Sequence, residues 1–116
     1  MTALEILRAA RRLLTPEGAW TRGAMARDKD GRPVSHTDRK AVCWSIYGAL
    51  LCVAPVIANR ERYLACAALH EQMPARLRAL SMFSDAFPIF NEDPHTTHAD
   101  VLALFDRAIA TEEAKP

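Results

Sequence analysis

Between Ala41 and Ala58 the chain carries no charged side chain, and its only hydroxyl groups belong to Ser45 and Tyr47. Val42, Ile46, Ala49, Leu50 and Val53 fall at the spacing of one helical face, while Cys43, Tyr47, Leu51 and Ala54 continue around the other. A helix that is apolar almost all round is a buried one. The stretch therefore predicts a buried central helix over Asp38–Val53, capped by Asp38 and ended or kinked by Pro55. A membrane span would need about 20 strongly apolar residues, and Ser45, Tyr47, Gly48 and Pro55 interrupt this run. A core helix is the expected reading, with no membrane association.

The flanking segments read as further short helices. Thr2 and Glu5 form a capping box for a first helix whose apolar side is Leu4, Ile6, Leu7, Ala10, Leu13 and Leu14. Thr15-Pro-Glu-Gly18 stops it. Residues 19–34 do not read as helix. Asp28-Lys-Asp-Gly31 is a turn signal, which predicts a short β-hairpin or an ordered loop there. A helix is expected from about Ala58 to Gln72, and a shorter one over Ala75–Leu80, extending toward Phe83. Residues 86–94, with Pro88 and Pro94, read as a loop packed down on the core. Thr97 and Asp100 resemble a second capping box, opening a last helix over Val101–Ala110. The expected architecture is mainly α: about four helices around the central one in a single globular domain over 1–116, with 111–116 a frayed tail.

Half of the residues are apolar and a quarter charged, the balance of a globular chain rather than a disordered one. Glu5, Arg8, Arg11 and Arg12 break any apolar leader, so none is expected. Cys43, Cys52 and Cys66 are odd in number and lie in apolar contexts, which predicts free thiols in a reducing cytoplasm. Residues 1–40 hold nine Lys/Arg against five Asp/Glu, and residues 41–116 hold six against nine. That mild asymmetry permits an acidic partner without requiring one.

Four constellations could carry chemistry. Cys43, near the expected helix start, would feel the positive end of the helix dipole and could act as a nucleophile. His98, His36 or His95 could serve as its base, and Asn91, Asp93 or Asp100 could orient that base. The competing reading is that Cys43 is a small core hydrophobe. In Asp93-Pro-His-Thr-Thr-His-Ala-Asp100, two histidines bracketed by carboxylates have ligand chemistry. A helix cap with solvated histidines explains the segment better, and no metal is expected. Arg8, Arg11 and Arg12, with Arg22, Arg27, Lys29, Arg32 and Trp20, could hold phosphates and stack a base. Interspersed acids and the absence of a reader motif favour a solvated face. Asp28-Lys-Asp-Gly31 echoes the start of a calcium loop but lacks the remaining ligands.

Three segments stand together: Trp20-Thr-Arg-Gly-Ala-Met-Ala-Arg-Asp28 with Asp30-Gly-Arg-Pro-Val34; Ala41-Val-Cys-Trp-Ser-Ile-Tyr-Gly-Ala-Leu50; and Phe90-Asn91 leading into Thr96-Thr-His-Ala-Asp-Val-Leu-Ala-Leu-Phe-Asp-Arg-Ala-Ile109. In that order they resemble a family of small bacterial and phage proteins classed as a domain of unknown function. The resemblance spans most of the chain outside 60–86. Where the family has an aromatic residue followed by Asn-Asp, this chain has Glu92 before Asp93. The resemblance implies a compact cytoplasmic domain, of phage or mobile-element type, and transfers no catalytic residue.

The expected function is a small binding or regulatory module acting through a protein partner, without a cofactor, as a monomer or homodimer. Its expected surface gathers Trp20, Arg27, Asp28, Asp30, Trp44, Asn91 and Asp93 at the N-terminal end of the central helix. The alternatives are a Cys-dependent hydrolase or transferase using Cys43, His98 and Asn91, and a weak nucleic-acid binder through the N-terminal basic face.

Overall fold

The computed structural model describes residues 1–56 and 59–116. Among these, six helices and a three-stranded sheet appear, so the chain is mainly α as expected. Helix α1 (Ala3–Leu14) starts at the expected capping box: Thr2 Oγ1 accepts from the Glu5 amide at 3.1 Å and the Glu5 carboxylate from the Thr2 amide at 3.0 Å. Ile6, Leu7, Ala10 and Leu14 recur at helical spacing and are fully buried.

Two-residue strands β1 (Ala26–Arg27), β2 (Pro33–Val34) and β3 (Cys43–Trp44) form an antiparallel sheet in the order β2–β1–β3. The expected hairpin is the β1–β2 pair, closed by Asp28–Gly31, where Gly31 adopts φ 79°. The helix expected over Asp38–Val53 is corrected. Helix α2 covers only Ile46–Val53, and its N-cap is Ser45, whose Oγ accepts from the Gly48 amide at 2.9 Å. Asp38 instead closes a local turn, accepting the Lys40 amide at 2.8 Å. Cys43 and Trp44 are spent on pairing with Arg27 and Ala26, a state that suits β-branched and aromatic runs such as Val-Cys-Trp.

Helix α3 (Arg60–Glu71) is capped by Asn59, whose Oδ1 accepts the Arg62 amide at 2.9 Å; the start expected at Ala58 lies outside the described residues. Helix α4 (Ala75–Arg78) ends before the expected Leu80. The loop expected over 86–94 is also corrected: helix α5 spans Phe83–Glu92 with Pro88 inside it. Proline usually breaks a helix by removing one amide and crowding the preceding turn. Here Ala86, Phe87, Phe90 and Asn91 bury one continuous face, and that burial outweighs the lost bond. Helix α6 (His98–Glu113) runs past the expected Ala110 and buries Val101, Leu104, Phe105 and Ala108.

The core centres on α1, which packs against α2, α3 and α6; α3 also packs on α5 and α6. Helix α2 buries Ile46, Ala49 and Leu50, while Tyr47 stays 38% exposed. No helix among the described residues is long and apolar enough to cross a membrane.

The second capping box is testable. Thr97 Oγ1 accepts the Asp100 amide at 3.1 Å, and the Asp100 carboxylate accepts the Thr97 amide at 2.9 Å. That amide, then the Thr97 hydroxyl, holds the Asp100 carboxyl below the usual carboxylate range. A depressed carboxylate contributes stability at neutral pH that is lost as pH falls through its folded-state value. Thr97→Ala is expected to cost about 1 kcal/mol by loss of the cap. In a proton-resolved NMR titration it should also move Asp100 back toward the ordinary aspartate range.

Candidate functional site

Tyr47 on α2, Phe87 and Phe83 on α5, and Tyr63 on α3 form a continuous row of rings. Their successive centroids lie 6.0, 6.2 and 5.1 Å apart. Phe83 and Phe87 are one turn apart on α5 and so share a face. The row walls a groove of about 910 Å³, bounded also by Gly23–Met25 and by Met82. Tyr63 is 62% exposed and Met82 57%, so apolar area remains open to solvent along it. Size, apolar walls and a few polar groups are the attributes of a binding site.

The polar groups come from helix ends and one helix irregularity. Pro88 has no amide to give the Ser84 carbonyl its usual helical partner, and both residues line the groove. At one end Glu92 accepts the Gly23 amide on both carboxylate oxygens, at 2.8 and 3.0 Å, and Asn91 Nδ2 at 2.8 Å. At the other end Arg62 Nη1 donates to the Ala54 carbonyl and, at 2.8 Å, to that of Val56. Cys66 also borders the groove but is 3% exposed; burial pushes its thiol up to about 12 despite the nearby Arg62 charge. Burial also raises Cys52. Neither is a thiolate at neutral pH.

Of the site residues singled out from sequence, Asn91 alone is among the described residues that line this groove. Asn91 lines it, is 3% exposed, and joins three segments. Its Oδ1 accepts Trp20 Nε1 at 2.8 Å and the Ile46 amide at 3.0 Å, and its Nδ2 donates to the Thr21 carbonyl at 3.1 Å. Trp20 and Trp44 meet in a parallel bridge, and Trp44 Nε1 donates to the His36 carbonyl at 3.2 Å. Trp20, Trp44 and Asn91 thus come together at the N-terminus of α2. Asp93 caps the C-terminus of α5 and pairs with Arg76 at 3.4 Å. Arg22 lies 4.6 Å over the Trp20 ring and donates to the Asp93 and Thr96 carbonyls.

Arg27 braces the hairpin through Thr21 Oγ1 at 3.2 Å and the Gly31 carbonyl at 3.0 Å. Asp28 accepts the Asp30 and Arg32 amides, both at 2.9 Å, and the Arg32 amide chiefly holds its carboxyl low. Asp30 stands at the exposed tip, 4.0 Å from Arg32. Cys43 sits on β3 rather than at a helix N-terminus, with its thiol 3.9 Å from the Arg27 carbonyl. His98 Nε2 bonds the Leu14 carbonyl at 2.6 Å, and its ring stacks on Trp20 at 6.4 Å. Among the described residues no hydrogen bond joins Cys43 to a histidine, and no three His, Cys, Asp or Glu side chains cluster as metal ligands.

Sequence reasoning missed Tyr47, Tyr63, Phe83, Phe87, Arg62 and Glu92 as a set. The one local signal was Phe83-x-x-x-Phe87, hidden because residues 86–94 read as a loop. No curated protein and no solved structure matches the chain. The sequence pattern of DUF6197, described as a family of unknown function, matches residues 1–111, and the chain belongs to that family.

Proposed function

We propose that this chain is a small cytoplasmic binding and regulatory module, serving a bacterial or phage process, that works through a protein partner seated in the aromatic groove. The observation that carries the reading is the open row of rings: Tyr63 and Met82 leave large apolar area facing solvent beside a groove of about 910 Å³. Aromatic anchors in such a setting dominate binding energy at protein interfaces. The polar surface around Trp20 and Asn91 supports this role indirectly, since it fixes the groove's Glu92 end.

The test is affinity capture with immobilised wild-type chain, Tyr63→Asp and Asp30→Lys, followed by titration of whichever protein is retained. Tyr63→Asp is expected to weaken the partner about 30-fold, a loss of about 2 kcal/mol. Asp30→Lys, at the hairpin tip, should leave it unchanged. The reverse pattern would move the interface to the hairpin and remove the groove from the function.

A further inference from the structure

We infer that the partner segment is an extended, bipolar one: a short apolar run with a basic residue at one end and an acidic residue at the other. This rests on the groove being the binding surface and adds the chemistry of its occupant. The groove has a charge of each sign at opposite ends. Glu92 adjoins Asn91, which is bonded to Ile46 at the start of α2, whereas Arg62 is bonded to Ala54 and Val56 just beyond its end. Among the described residues neither Glu92 nor Arg62 enters an ion pair. Both are nevertheless held in place, Glu92 by three hydrogen bonds and Arg62 by two carbonyls. Fixed, uncompensated charges are the arrangement that selects a complementary ligand and its direction.

The spacing follows from α2. Its eight residues separate the two ends by about 12 Å, at ~1.5 Å per residue. An extended segment covers that distance in about four residues, at ~3.3 Å each, so its charges should stand four or five positions apart. The Ser84 carbonyl, left without its helical amide by Pro88, favours this form over a helix. An extended chain can donate a backbone N–H to it, whereas the interior amides of a helix are already used. The side chains between the two charges would lie on Tyr47, Phe87, Phe83 and Tyr63.

Fluorescence anisotropy with four synthetic peptides tests this. All carry the same four-residue leucine–phenylalanine–leucine–valine core, flanked by lysine and glutamate, by two lysines, by two glutamates, or by two glutamines. The lysine–glutamate peptide is expected to bind the wild-type chain about 10-fold tighter than either single-sign peptide at low salt, with the advantage shrinking as salt rises. Methylating its central backbone amide should weaken it. Relative to the glutamine peptide, which reports any change in the groove itself, Glu92→Gln should cost the lysine–glutamate peptide about three-fold and favour the two-glutamate peptide. Equal affinity for all four peptides, lost in Tyr63→Asp, would overturn the bipolar segment and leave the groove reading intact. No peptide binding, with dimerisation that Tyr63→Asp abolishes, would overturn it in favour of a second copy. No peptide binding by a monomer that takes up an apolar dye at Tyr63 would overturn both in favour of a small ligand.

Discussion

Gly48→Ala is expected to lower the unfolding free energy by about 3 kcal/mol, at the upper end of overpacking costs. A Cβ at this position would lie 2.0 Å from the Met25 carbonyl oxygen, 2.9 Å from its carbon and 3.1 Å from Ser45 Oγ. The first two obstacles are backbone and cannot rotate away. The Met25 carbonyl also accepts the Ser45 amide at 3.0 Å, so retreat of the 23–25 segment breaks the bond that seats the N-cap of α2. Two effects oppose each other. Alanine favours a helix interior over glycine by about 1 kcal/mol, but the clash and the lost bond exceed that gain. Urea denaturation at unchanged m would measure the difference. A rise in stability of about 1 kcal/mol would mean that α2 moves off the segment freely and that the close approach is not needed. Because Met25 borders the groove, the variant should also bind groove peptides less well.

The elements legible in the sequence are those whose cause is local. Thr2 with Glu5 and Thr97 with Asp100 are three residues apart, and each pair signals its helix start without reference to the rest of the chain. Asp28–Gly31 likewise marks the hairpin by itself. The start of α2 was not local. The apolar run suits a helix or a strand equally, and the decision for Cys43–Trp44 comes from pairing with Ala26–Arg27 far earlier in the chain. Helix α5 failed for the same reason. Pro88 is a valid local objection, overridden by burial of Phe87, Phe90 and Asn91 against other helices. The groove was the least legible feature, because its rings come from three helices and no spacing links Tyr47 to Tyr63 to Phe83. Even so, the apolar run held a clue. A helix apolar all round that leaves one ring, Tyr47, exposed offers that ring as the wall of something.

Asn91→Ala is expected to cost about 4 kcal/mol, because it strands one buried and two half-buried groups at once. Asn91 sits at 3% exposure with both halves of its amide in use. Removing it leaves the Ile46 amide, the Trp20 indole N–H and the Thr21 carbonyl without their partner. Buried groups left unsatisfied cost about 1–3 kcal/mol each. Trp20 is half-buried and can recover part of its share from water, whereas Ile46 is fully buried and cannot. Asn91→Asp separates shape from hydrogen bonding. It keeps the acceptor for Trp20 and Ile46, but replaces the donor with a carboxylate oxygen facing the Thr21 carbonyl and Glu92. Two negative charges in contact disfavour ionisation, so this variant should be strongly destabilised at pH 7 and should recover as pH falls and the new carboxyl takes up a proton. Asn91→Ala should show no such recovery. Denaturation of both variants at pH 7 and pH 5, with the Trp20 indole N–H resonance as a local probe, distinguishes these outcomes. A cost below about 1 kcal/mol for Asn91→Ala would mean that water replaces the amide. The Glu92 end of the groove would then be held by the Gly23 amide alone.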